Sequence, residues 1–136
     1  KKFRKFMLSR NKNFNKHLNF FKKLNEYFII PKVYKDVKTN FLAYPIILNT
    51  KKFYRKDLQI FLENHNIQTR PIFSGNILRH PAFHKLIKNN KFLNSFHASD
   101  FIMKNGLLIG CHQALMSKDI NYIHQKILKF LKKFHN

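Results

Sequence analysis

The 136-residue sequence predicts a single domain of α/β or α+β class, a thin sheet packed with helices. Three observations point there. Apolar residues recur at three- and four-residue steps near both ends, the mark of amphipathic helices. Between them, short apolar runs of strand length alternate with helical patterns, so helices layer on a small sheet. The length allows one domain and no second of ordinary size, and 44% apolar content with 16 Phe supplies an aromatic-rich core.

From Lys1 to Ile30 the pattern is helical, with Phe14, Leu18, Phe21, Leu24 and Phe28 on one stripe. Pro31 blocks continuation, and Lys32 to Asn40 is a polar connection. Phe41 to Leu48 is a continuous apolar run and reads as a buried strand, although Pro45 suits an edge or bulge better. Arg55 to Asn64 is a short helix with Leu58, Phe61 and Leu62 inward and Asp57 in its first turn, where a carboxylate favours the helix dipole. Ile67 to Phe73 is the next strand. Pro81 to about Asn89 is a short helix opening on proline, with Phe83 and Leu86 inward. Asp100 to Lys104 is a helical turn that Asn105 and Gly106 are expected to cap through a left-handed residue. Leu107 to Gly110 is a short strand. Ser117 is expected to N-cap the last helix, with Ile120, Ile123, Ile127, Phe130 and Phe134 as its buried stripe.

Composition bounds the function. No apolar run approaches the roughly 20 residues of a spanning helix. The basic N-terminus lacks the apolar stretch and cleavage site of a signal peptide. A lone Cys111 excludes an internal disulfide and fits a reducing cytoplasm. The first residue is Lys, so the chain is expected to be a piece of a longer protein. Against 27 Lys and Arg stand only 6 Asp and Glu, a net charge of +21. Such a charge is what a basic nucleic-acid-binding module carries. The lysines are scattered, however, with no Arg-rich block and no Gly-aromatic signature. Lys, Asn, Phe and Ile dominate as AT-rich coding would have them, so solvated surface lysine is the plainer reading.

The most informative stretch is Ile67-Gln68-Thr69-Arg70-Pro71-Ile72-Phe73-Ser74-Gly75-Asn76, followed by Arg79-His80-Pro81. It sets an Arg at a strand end, then a tight turn in which Gly75 can take angles closed to other residues, then two basic residues opening a new segment. Binding groups concentrate on such loops. Arg70 and Arg79 are candidate anion contacts through bidentate guanidinium bonding, or structural arginines bonding loop carbonyls or a partner domain. Phe73 either packs over a ligand ring or joins the core. Asn76 either meets a hydroxyl or stabilises its own turn. His80 either reaches a ligand or caps the next helix. His80 and His84 with Cys111 and His112 are not joined by metal-site spacing, so no metal is expected. Cys111 reads as a small buried hydrophobe, and His112 as a loop residue.

The wording resembles the C-terminal small domain of the DegT/DnrJ/EryC1/StrS family, vitamin-B6-dependent sugar aminotransferases and their dehydratase relatives. Arg10, Asn13 and Phe14 are similar to the family's connecting helix, and Tyr27-Phe28-Ile29-Ile30-Pro31 to its exit. Phe41-Leu42-Ala43-Tyr44-Pro45, Asp57-Leu58 with Phe61-Leu62-Glu63, and Met103 through His112 follow in the family's order. At the loop, Arg70 with Phe73-Ser74-Gly75-Asn76 and Arg79-His80-Pro81 resembles the dehydratase branch, with Ser74 where that branch has Ala. Tyr54 stands where the family offers a Ser helix cap.

The resemblance implies the small domain of aspartate-aminotransferase-like (fold type I) enzymes, with a thin, mostly antiparallel sheet. Residues 1–30 would be a connecting helix and 41–134 the α/β body, with the large cofactor domain outside the chain. It implies a part of a pyridoxal or pyridoxamine 5'-phosphate enzyme that removes the 3-hydroxyl of a nucleotide-linked 4-keto-6-deoxyhexose for O-antigen or related lipopolysaccharide synthesis. An aminotransferase small domain is the alternative within the family, and a stand-alone nucleic-acid-binding module the alternative from another class. The cofactor would be bound mainly by the large domain, and one dehydratase subgroup carries a [2Fe-2S] cluster upstream. Arg70, Phe73, Ser74, Gly75, Asn76, Arg79 and His80 would contact substrate or cofactor. No catalytic residue is expected in this piece, which alone would be inactive. The implied partners are the nucleotide-sugar, the large domain and a second subunit in a cytoplasmic homodimer; neither nucleic acid nor membrane insertion is expected.

Overall fold

The computed structural model describes residues 2–87 and 89–134. Its first element is α1 (Lys2–Phe21), followed by a 3₁₀ turn over Lys22–Leu24 and β1 (Phe28–Ile29). The helix expected to run to Ile30 therefore stops at Phe21. Leu24 and Phe28 continue the stripe in sequence, but Phe28 is a strand residue paired with Leu48. Next come β2 (Ala43–Leu48), α2 (Arg55–Glu63) and β3 (Thr69–Pro71). Short 3₁₀ turns over Ile77–Arg79 and Pro81–Leu86 lead to α3 (Asn90–Asn94), α4 (His97–Asn105), β4 (Gly106–Gly110) and α5 (Ser117–Leu131). The side chains of Leu86 and His84 lie outside the described residues, and Phe83 is half-buried.

The four strands form one antiparallel sheet in the order β1-β2-β4-β3. β1 reaches only Ile47 and Leu48 of β2. Pro45 thus falls where β2 has a neighbour on one side only, so its missing N–H costs no second ladder bond.

Alternation divides the sheet into two unlike faces. Tyr44, Ile46, Leu48, Leu107 and Ile109 are buried. They belong to one core with Phe14 and Phe21 of α1, Leu58 and Leu62 of α2, and Ile123, Ile127, Phe130 and Leu131 of α5. Burying a side chain of this size contributes about 1.5–3 kcal/mol. The other face is half-open. Pro45 and Arg70 both register with Leu108, giving the cross-strand row Pro45–Leu108–Arg70. No helix of the described residues is long and apolar enough to cross a membrane.

The starts of α2 and α5 are secured by carboxylates. Asp57 accepts a bond from the Tyr54 N–H at 2.9 Å, and Asp119 accepts one from the Met116 N–H at 2.7 Å. Ser117, expected as the N-cap, is instead the first residue of α5; Asp119 reaching back does the work. Gly106 is extended at φ −86° rather than left-handed. Its lack of a side chain serves space: a Cβ there would stand 2.5 Å from the Ile102 carbonyl oxygen and 2.7 Å from Cδ1 of Ile72.

Candidate functional site

The half-open face of the sheet carries a groove of about 510 Å³. Ala43, Pro45 and Leu108 line it on the sheet side. Val33, Tyr34 and Val37 line it from the β1–β2 connection, and Ile72 and Phe73 from the loop after β3. The segment from Lys32 to Asn40, read in the sequence as a polar connection, therefore supplies apolar groove wall. Val33, Tyr34, Val37 and Leu42 are exposed, and Phe73 is 83% exposed. Exposed apolar side chains gathered at one concavity mark a contact surface.

Phe73 owes its position to a turn. The Gly75 N–H donates to the Ile72 carbonyl at 2.9 Å, which turns the chain sharply after β3. Phe73 is left-handed at φ 42° and Gly75 at φ 63°. Left-handed backbone is cheap for glycine but costs a residue with a Cβ about 1–2 kcal/mol. Phe73 therefore accepts strain in a place where it stands in solvent, an arrangement typical of functional loops. Ser74 is exposed beside it.

Arg70 is exposed on β3 in the Pro45–Leu108–Arg70 row. Its Nη1 donates to the carbonyl of its neighbour Thr69 at 3.3 Å. The nearby Glu63 carboxylate is taken up elsewhere, accepting from the Thr69 N–H at 2.6 Å and the Thr69 hydroxyl at 2.7 Å. Those two bonds, with the Arg70 charge, hold the Glu63 carboxyl below its usual range. Arg70 is in neither of the ion pairs found among the described residues.

Like Arg70, the polar candidates Asn76, Arg79 and His80 do not line the groove. Asn76 is 3% exposed; its Oδ1 accepts from the Leu78 N–H at 3.1 Å and its Nδ2 donates to Asp100 at 2.8 Å. Arg79 donates from Nε and Nη2 to the two Asp100 oxygens, at 2.9 and 2.5 Å, and from Nη2 to Asn94 at 3.3 Å. These bonds from Arg79 and then Asn76 lower the Asp100 carboxyl to about 2. His80 ends the Ile77–Arg79 turn, donating its N–H to the Ile77 carbonyl, and its ring meets Phe83 edge-on. Asp100, the hub of this cluster, carried no signal in the sequence: it stands 24 residues from Asn76.

Cys111 is buried, its thiol bonded to the Phe41 carbonyl at 3.4 Å and pushed up to about 11 by burial. His112 Nδ1 accepts from the Ala114 N–H, a loop bond. Among the described residues, no three His, Cys, Asp or Glu side chains are grouped as a metal site. Nor does a carboxylate line the groove, and the ammonium of Lys32 lies 4.8 Å from the Tyr34 ring centre. The described lining thus offers a pyridine cofactor no acid for its ring nitrogen, and Lys32 is its single lysine.

Comparison with known proteins follows the same outline. The family model described as DegT/DnrJ/EryC1/StrS aminotransferase family matches residues 1–128. The chain is 33% identical over 81 residues to the dTDP-4-dehydro-2,6-dideoxy-D-glucose 3-dehydratase of Saccharopolyspora spinosa, covering 60% of this chain and 17% of that protein. It is 25% identical over 126 residues to the lipopolysaccharide biosynthesis protein RfbH of Salmonella typhimurium, covering 92% and 28%. The chain thus spans between a sixth and a third of these relatives' length. Among solved structures, the E. coli GDP-4-keto-6-deoxy-D-mannose-3-dehydratase with bound hydrated PLP superposes with a TM-score of 0.71 at 24% identity, over 90% of this chain and 31% of that one. The aminotransferase from Psychrobacter cryohalolentis superposes with a TM-score of 0.80 at 14% identity, over 96% and 35%. The fold is the one these enzymes contain.

Proposed function

The chain belongs to the DegT/DnrJ/EryC1/StrS aminotransferase family, and from that premise we propose that residues 1–136 are the C-terminal small domain of a nucleotide-sugar 3-dehydratase. The enzyme acts on a nucleoside-diphosphate 4-keto-6-deoxyhexose, using pyridoxal or pyridoxamine phosphate, in deoxysugar or O-antigen lipopolysaccharide synthesis. The observation that carries this reading is the half-open sheet face, where Arg70 shares a cross-strand row with groove residues and Phe73 stands exposed beside it. Arg70 meets an anionic group of the nucleotide-sugar in a planar two-pronged contact. Phe73 covers a ring. The apolar wall of Val33, Tyr34 and Val37 is covered by the cofactor domain, which holds the cofactor and the proton-transfer residue. Dehydratase relatives and the loop from Arg70 to Pro81 favour loss of the 3-hydroxyl; the fit to an aminotransferase structure keeps transamination as the second reading. The cofactor, when bound by the rest of the enzyme, acts as the electron sink for either outcome.

The test uses the polypeptide that carries this chain with its cofactor domain. Incubated with a nucleoside-diphosphate 4-keto-6-deoxyhexose and an amino donor, it should yield a 3-deoxy sugar. A 4-amino sugar that keeps its 3-hydroxyl would establish transamination instead. The 136-residue chain alone should give no imine absorbance with pyridoxal phosphate that survives gel filtration; a stoichiometric adduct would overturn the assignment.

A further inference from the structure

The loop between β3 and Pro81 is seated on α4 and the first residue of β4 at three points spaced three residues apart. Asp100 takes the first: one oxygen accepts from Asn76 Nδ2 and Arg79 Nε, the other from Arg79 Nη2. Met103, one turn on, takes the second. It lies so close under Gly75 that a Cβ there would come within 2.3 Å of the Met103 Cβ. Gly106, where the helix passes into β4, takes the third, with Ile72 packed against its Cα side. Residues 100 and 103 lie on one side of α4, and Gly106 follows at its C-terminal end, so the loop is contacted from Ile72 to Arg79. Met103 and Gly106 offer only contact and space. Asp100 offers direction, because a carboxylate that takes a guanidinium by both oxygens fixes its plane as well as its distance.

We propose that Asp100 is a positioning residue of the substrate face: by holding Asn76 and Arg79 it fixes the left-handed turn that stands Phe73 at the groove and sets the chain leaving Arg70. Asp100 itself does not line the groove, so it acts through the loop. Its carboxyl, lowered to about 2, stays ionised throughout the working pH range. The inference rests on the reading of this face as the substrate side, and two measurements separate the two.

The first is amide hydrogen exchange on the chain carrying Asp100→Asn. The amides of Gly75, Leu78 and Arg79, each bonded within the loop, should exchange at least tenfold faster, with β2 and β4 amides unchanged. Arg79→Gln keeps the Asp100–Asn76 bond and should loosen the same amides, which guards against a variant that fails to fold. Loop exchange unchanged in both overturns the proposal. The second measurement uses the polypeptide with its cofactor domain, where Asp100→Asn should raise KM for the nucleotide-sugar at least tenfold with kcat within threefold. A fall in kcat at constant KM would mark loss of folded enzyme alone and overturn positioning. Faster loop exchange with both constants unchanged would leave Asp100 holding the loop and overturn the substrate face instead.

Discussion

Acid should loosen this chain above the range where its carboxylates titrate, because of one histidine pair, His17 buried and His124 half-buried. His17 of α1 has both ring nitrogens engaged: Nε2 lies 3.0 Å from the Gly110 carbonyl, and Nδ1 lies 3.0 Å from Nε2 of His124 on α5. A carbonyl only accepts, so His17 carries a proton on Nε2. Burial disfavours the charged form of either ring, and with both neutral the bare Nδ1 of His17 accepts from the His124 Nε2–H. Burial lowers each from 6.5 to about 4, against a weaker opposing pull from the Gly110 carbonyl on His17 and with help for His124 from the charge His17 would carry if protonated and from the Lys16 ammonium. Between pH 6.5 and 4 the unfolded chain binds protons that the folded chain refuses. Stability is thus full above pH 6.5 and lost as the pH falls to 4. At roughly 1.4 kcal/mol per unit, the interval from 6.5 to about 4 gives about 3 kcal/mol for His17. His124 adds in the same direction but not by a full second share, since the two rings share a hydrogen bond and titrate as a pair. That is a large part of the roughly 5–15 kcal/mol that holds a domain. Asp100 and Glu63, both lowered by their partners, act only below their ordinary values of 3.8 and 4.5, so the windows barely overlap. Urea unfolding followed by circular dichroism at pH 7, 6, 5 and 4.5 reads the slope. Imidazole proton resonances should show two of the eight histidines titrating near 4. A flat stability from pH 7 to 5, or His17 and His124 titrating near 6.5, would refute the argument.

Three further outcomes are expected. Tyr44→Phe should leave the melting temperature unchanged or raise it, because the Tyr44 hydroxyl is buried with no hydrogen-bond partner among the described residues and an unpaired buried hydroxyl costs about 1–3 kcal/mol; a clear fall would reveal a hidden partner. Arg70→Lys in the intact enzyme should cost about ten- to hundredfold in substrate binding or turnover, worth roughly 1.5–3 kcal/mol, while melting moves by little; the reverse pattern would make Arg70 structural. The chain alone should bind a hydrophobic dye at the Val33, Tyr34, Val37 and Phe73 surface, and Phe73→Ser should reduce the signal; a dye-negative monomer would show that this face needs no cover.

The amphipathic elements were legible because period alone defines them: α2, α5 and β2 fall within a residue or two of the sequence reading, as do the turn at Gly75 and the burial of Cys111. β1 was not, since Leu24 and Phe28 sit in phase with Phe14 and Phe21, and a two-residue strand cannot break a helical rhythm. Glycine misled at 106, where the demand is for space and not for a left-handed angle. In the site, Arg70 and Phe73 could be picked out from local wording. The roles of Asn76 and Arg79 could not, because their partner Asp100 lies on a helix more than 20 residues downstream and nothing periodic connects them. The groove wall from Val33 to Val37 was hidden for another reason: apolar residues spread among lysines resemble solvated linker until a sheet face is placed beside them.

The strand order sets a timetable for folding. β2 and β3 never pair with each other; each finds its ladder on β4, the last strand to be made. Until Gly106–Gly110 has left the ribosome, the nascent chain can build no more of its sheet than the two-residue pairing of β1 with β2. A hairpin that small has no independent stability. The closing contacts span from Ala43 to Gly110 and from Thr69 to Ile109, so loop-closure entropy is spent before the ladder bonds are gained. During that wait β2 offers Ala43–Leu48, six consecutive apolar residues, as a bare edge, and Pro45, which cannot donate to an intruding strand, is the one residue in it that discourages a wrong partner.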